Sequence, residues 1–209
     1  MGTVYFLDND VILKLTTYRM LDEALDCLKI DRSDIRVLAS ARYFFEKNKG
    51  VRKKHSDATI ASAIEFVKSC VAISSQNNDE YRLLAEQIKN DIDPGEATLI
   101  AATFQESASL LATGDKRCLK ALANTECLDF IHKGLQGRVT CLEQIICKSI
   151  EIKGFDWVLD RVIPNLDCDK ALKSAFGSGS YSQCEAVLGT LNGYIQDLQI
   201  ISSGILSDL

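Results

Sequence analysis

Four acids stand where one element of the chain hands over to the next: Asp8, Glu46, Glu96 and Asp115. Carboxylates gathered in one cleft repel one another and raise each other's pKa unless a cation neutralises them. Hard oxygen donors in that number suit Mg²⁺ or Mn²⁺. An ion held that way with an open face activates water and stabilises an in-line displacement at phosphorus. Asp10 and Asp93 lie close enough along the chain to join the set. Each acid also has a plain structural use. Asp8 and Asp115 stand where an N-cap belongs, and Glu96 follows Pro94-Gly95 at a helix start, where the dipole favours any acid. Glu46 sits beside Lys47 and is the least distinctive of the four.

The elements that must position these acids are legible in the apolar pattern. Thr3 to Leu7 is almost wholly apolar and runs straight into Asp8. A run apolar on both faces suits a buried central parallel strand, since an edge strand would alternate. Val11, Ile12, Leu15, Met20, Leu21, Leu25 and Leu28 then recur at helical spacing. Further strands are predicted at Ile35–Ala39, Cys70–Ile73, Ser109–Thr113 and Gly137–Cys141. Helices are predicted from Tyr43, from Asp57 through Val67, over Tyr81–Lys89, over Ala97–Ser107 and over Lys116–Ala123. Strands alternating with helices predict a three-layer α/β/α domain with a central, mainly parallel sheet. In such sheets ligands bind beyond the carboxyl ends of the strands, where Asp8 and Asp115 stand.

Composition narrows the setting. The chain has 209 residues, 46% hydrophobic and 25% charged, an ordinary globular balance. A net charge of -5 argues against a protein that coats nucleic acid by bulk electrostatics, though not against a local basic groove. Lys47 to His55 is such a stretch, with Lys49, Arg52, Lys53 and Lys54 and no acid, read as a solvated loop broken by Gly50. Beside Glu46 and together with Arg42, Lys116 and Arg117, it would grip phosphates that flank a cut. The eight cysteines form no C-x-x-C pair and there are only two histidines, so zinc spacing is absent. Scattered cysteines and no apolar run near the ~18 to 20 residues of a membrane helix point to a cytoplasmic protein without a membrane partner.

Four segments in order, V-Y-F-L-D8-N-D10, L-A-S40-A-R-Y-F-F-E46, D93-P-G-E96-A-T-L-I-A-A and L-L-A-T113-G-D115, resemble the PIN-domain nucleases over about the first 140 residues. The resemblance implies a divalent-metal-dependent endoribonuclease that cleaves RNA phosphodiester bonds with Asp8, Glu46, Glu96 and Asp115 holding Mg²⁺ or Mn²⁺. Thr113 matches the Ser or Thr before the last acid and would help orient the attacking water. Asp10 stands where the family usually has a small polar residue, as a fifth ligand or a cap. Many such proteins are toxins paired with an antitoxin, or defence effectors.

Two other readings stand beside it. F-L-D8-N-D10-V resembles the opening of haloacid-dehalogenase-type phosphatases, with Asp8 as nucleophile and Asp10 as general acid. Lys116 to Lys120, however, occupy the places where that family's last acid is expected. The third is a non-catalytic PIN-like scaffold that binds a partner. After residue 149 the pattern turns wholly helical, with eight acids against four bases from Glu151 onward. Residues 1–149 are therefore read as the nuclease-like domain and 150–209 as a helical extension, whose stripe from Leu188 to Ile201 serves packing or a homodimer seam.

Overall fold

The computed structural model describes residues 3–73, 86, 92–124 and 129–209. Five strands form one parallel sheet: β1 (Val4–Leu7), β2 (Ile35–Leu38), β3 (Val71–Ile73), β4 (Ser109–Thr113) and β5 (Val139–Cys141), in the order β3-β2-β1-β4-β5. All five predicted strands are present. The helix predicted over Tyr81–Lys89 lies outside the described residues.

β1 is central because both of its faces are covered, as its unbroken apolar run demands. The register pairs Tyr5 with Ile35 on one side and Leu7 with Ala112 on the other. Helices α1 (Asn9–Thr17), α2 (Leu21–Cys27), α3 (Ala41–Lys47), α4 (Lys49–Lys54) and α5 (Asp57–Ser69) fall between the first three strands. α6 (Pro94–Thr103) precedes β4, and α7 (Lys116–Asn124) and α8 (Asp129–Leu135) lead to β5. Four more helices complete the chain: α9 (Leu142–Lys153), α10 (Phe155–Val162), α11 (Lys170–Ala175) and α12 (Cys184–Ile201).

The stretch Lys47 to His55 is not a loop. Asn48 accepts from the Gly50 and Val51 amides at 2.8 and 3.1 Å, and that cap starts α4 despite Gly50 in its first turn. Val51 is buried, so the four exposed cations of the helix are fanned over solvent. Asn48→Ala removes the cap and costs about 1 kcal/mol. Circular dichroism and thermal unfolding check it, with a fall in melting temperature of roughly 2–4 °C expected for a chain of this size.

The helical C-terminal region is not set apart from the sheet. α9 runs through residues 149 and 150 without interruption. Val158, Val162, Leu172, Phe176, Val187, Leu191 and Leu198 belong to the same continuous apolar core as β1 and α1. The tail then returns to the sheet: Val139 donates to the Ile205 carbonyl at 3.1 Å and Ser207 to the Val139 carbonyl at 2.7 Å, while Leu206 bridges Val139 in parallel. The Gln144 amide and the Thr140 hydroxyl fix Ser207. This added rung covers the outer edge of β5, an edge that would otherwise present unpaired backbone groups. The seven cysteines among the described residues are free thiols, and no described helix is long and apolar enough to cross a membrane.

Candidate acidic cleft

β1 and β4 are neighbours, but the chain leaves β1 toward β2 and leaves β4 toward β5. The sheet order therefore reverses between them, and the crevice at such a reversal is where open α/β sheets bind ligands. Asp8 opens it directly: its amide donates to the Ala112 carbonyl at 3.0 Å. Asp115 closes the opposite wall three residues after that carbonyl. Glu96, in the first turn of α6, comes in over the same strand ends.

Asp8 and Glu96 are 8% and 9% exposed. Neither has a Lys or Arg ion-pair partner among the described residues, and Asp8 makes no side-chain cap bond. Burial pushes the Asp8 carboxyl up to about 7, helped by the charges of Asp10 and Asp115 and only partly opposed by the Asn9 and Asp10 amides. Burial likewise raises Glu96 to about 8, with Asp115, Asp8 and Asp93 adding repulsion. The Asp115 charge thus acts on both buried carboxyls, and the Asp8 charge on Glu96.

Asp115 differs. Burial works to raise it, but the Arg117 guanidinium and the Arg117 and Cys118 amides outweigh that and hold it below the usual range. Its Oδ1 accepts from those amides at 2.7 and 3.3 Å, so it also caps α7, and its Oδ2 lies 3.0 Å from Arg117. Thr113 Oγ1 accepts from the Asp115 amide at 3.2 Å and sets the turn. Asp93 caps α6 through the Gly95 amide at 2.9 Å and is exposed. Among the described residues, no group of three or more His, Cys, Asp or Glu side chains stands close enough to hold a metal ion together.

Glu46 is placed apart from this trio. It projects from α3, half-buried, and pairs with Arg42 at 2.8 Å, which lowers its pKa. Asp10 is engaged by Lys14 at 2.6 Å. Among the cations expected to meet phosphate, Arg42 and Arg117 are thus tied to Glu46 and Asp115, and Lys116 is bound to Glu143 at 2.8 Å. Arg52 approaches Asp57 at 3.8 Å. Lys49, Lys53 and Lys54 are exposed and in no ion pair among the described residues.

The helix that carries these lysines is tied to the C-terminal end of α1. His55, following α4, has Nδ1 2.8 Å from Thr17 Oγ1. That hydroxyl already donates to the Leu13 carbonyl at 2.7 Å, so the His55 Nδ1–H donates to it. Burial lowers the His55 pKa, against the pull of the Asp10 charge, which reaches the ring.

No family model, curated protein or solved structure matches this chain. The function must therefore be argued from the cleft itself.

Lys14, Asp169, Glu143 and Tyr194 were not singled out by sequence reasoning. Lys14 stands four residues after Asp10 on α1, a spacing that pairs opposite charges on any helix. Asp169 precedes α11 as an ordinary cap, accepting from the Ala171 and Leu172 amides at 2.8 and 3.0 Å. Nothing in the linear order announces that Lys14 and Asp169 meet.

Proposed function

We propose that the chain is a divalent-metal-dependent endoribonuclease whose cleft is formed by Asp8, Glu96 and Asp115. The observation that carries this reading is the pair of buried carboxylates, without an ion-pair partner among the described residues, at the point where the sheet order reverses. The charged forms of two such groups beside a third acid are costly in a low-dielectric site, a cost that a bound proton or a bound cation relieves. The donor chemistry, oxygen ligands only and from three separate elements, suits Mg²⁺ or Mn²⁺, but in this structure the three carboxylates do not stand close enough to share one ion. Asp8, Glu96 and Asp115 would have to draw closer to hold the ion, which when bound would supply charge stabilisation at a phosphoryl group and a more acidic water.

The protein's own residues do the rest. Thr113 fixes the turn that presents Asp115. Lys49, Lys53 and Lys54 on α4 attract the phosphate backbone toward the cleft, and that attraction weakens with salt. Arg117 neutralises Asp115 in the metal-free chain. Glu46 belongs to the rim rather than to the ligand set.

Calorimetric titration with Mn²⁺ tests this directly. The full chain is expected to bind, with Glu96→Gln weakening the affinity at least tenfold. Asp115→Asn is expected to remove Mn²⁺-dependent cleavage of single-stranded RNA while the fold persists. Equal Mn²⁺ affinity in wild type and Glu96→Gln overturns the reading.

A further inference from the structure

We infer that the chain after β5 fixes the acidic cleft from both flanks, with Asp169 and Glu143 as positioning residues that act through Lys14 and Lys116. The two helices that leave the cleft are α1, after Asp8, and α7, after Asp115. Each is anchored by a lysine to a carboxylate of the later chain.

On α1, Lys14 Nζ lies 2.6 Å from Asp10 Oδ2 and 2.8 Å from Asp169 Oδ2. The Lys14 and Asp169 side chains are each 14% exposed. Asp169 divides its oxygens: Oδ1 caps α11 and Oδ2 holds the ammonium. Nearby, the Asn165 amide donates to the Thr17 carbonyl at 3.2 Å, a second tie between the later chain and α1. The Asp10–Lys14 pair in turn packs on the loop that carries Asp115. A Cβ added at Gly114 would stand 2.5 Å from Asp10 Oδ2 and 3.3 Å from Lys14 Nζ. The glycine is what lets the pair lie against that loop.

On α7, Lys116 Nζ lies 2.8 Å from Glu143 Oε1, and the Glu143 side chain is 4% exposed. The same ammonium sits 4.5 Å from the centre of the Tyr194 ring on α12. Asp115 thus lies between two anchored neighbours: Gly114, under Asp10 and Lys14, and Lys116, under Glu143 and Tyr194. Surface ion pairs that merely join adjacent helices contribute little. These are largely buried on their acidic side, and both land on the residues flanking one cleft acid.

Asp169→Asn tests the inference in the full chain, because asparagine keeps the cap oxygen for α11 while losing the charge that holds Lys14. In hydrogen–deuterium exchange of the metal-free protein, the Asp115, Arg117 and Cys118 amides are expected to exchange at least fivefold faster. The Ala171 and Leu172 amides are expected to stay at wild-type rates. Glu143→Gln should accelerate the same 115–118 amides, and Asp169→Glu should restore slow exchange in part. Unchanged exchange at 115–118 in Asp169→Asn overturns the inference, as does loosening confined to α11.

A Mn²⁺ titration separates this from the proposed function, on which only the cation part rests. Wild type is expected to bind and Asp169→Asn to bind at least fivefold more weakly. If wild type takes up no Mn²⁺, the nuclease reading fails and the exchange result still decides the positioning role. If wild type binds and Asp169→Asn matches it, the positioning role fails alone.

Discussion

Asp8→Asn is expected to stabilise the metal-free protein at pH 8 while removing its response to Mn²⁺. In the folded chain Asp8 titrates at about 7, against an ordinary 3.8, and Glu96 at about 8, against 4.5. Both carboxyls hold their protons more tightly when folded than when unfolded. The stability this linkage contributes is complete below about pH 4 and is lost as pH rises through 7 to 8. At pH 8 the wild-type protein must keep Asp8 ionised in a buried site, or unfold. Replacing it by asparagine removes that cost, a gain of about 2–4 kcal/mol at pH 8 that shrinks toward zero near pH 4. Thermal unfolding of both proteins across pH 4 to 8 in EDTA checks the sign. Mn²⁺ should raise the wild-type melting temperature at pH 8 and leave Asp8→Asn unmoved. A variant less stable than wild type at pH 8 would mean that Asp8 is answered by a partner already present.

Lys14→Met carries the opposite sign. Burial works against the ammonium, but the Asp10 and Asp169 charges outweigh it and hold Lys14 protonated, above its ordinary range. Removing the lysine leaves Asp169 buried without its counter-charge and Asp10 beside Asp8 without its own. Breaking a buried pair from one side costs about 3–5 kcal/mol. For a chain of this size that is a fall in melting temperature on the order of 10 °C. The loss should be largely recovered when Asp10→Asn and Asp169→Asn are added, since no buried charge is then left unpaired. Urea unfolding of the single and triple variants measures both effects. A triple variant as unstable as Lys14→Met would show that the aliphatic packing of the lysine, rather than its charge, holds the region.

Much of the fold was legible because its signals are local. Thr3 to Leu7 is apolar on both faces and does become the central strand. Asp8 and Asp115 follow β1 and β4, the neighbouring strands on either side of the sheet's reversal. Glu96 enters the same space because Pro94-Gly95 starts its helix there. What escaped has a physical reason in each case. The basic stretch becomes α4 because a single side chain, Asn48, supplies the cap that Gly50 seemed to forbid. Glu46 stays with Arg42, four residues before it on the same helix, an attraction that spacing alone made visible. Lys116 reads as a phosphate-binding residue beside Asp115. Glu143 and Tyr194 claim it from far along the chain, and such meetings are set by packing of the whole core. The helical region after residue 149 shows its periodicity plainly, but not that its last residues return to pair with β5.

The proposal that the cleft is a metal-dependent ribonuclease site faces its most direct test in one experiment. The purified chain is incubated with a mixed single-stranded RNA in Mn²⁺, in EDTA, and in Mn²⁺ with Asp8→Asn substituted. Cleavage in the first arm, with none in the other two, is the expected result. Cleavage that persists in EDTA or in Asp8→Asn, or an absence of cleavage in all three arms from a preparation that binds Mn²⁺, would contradict it.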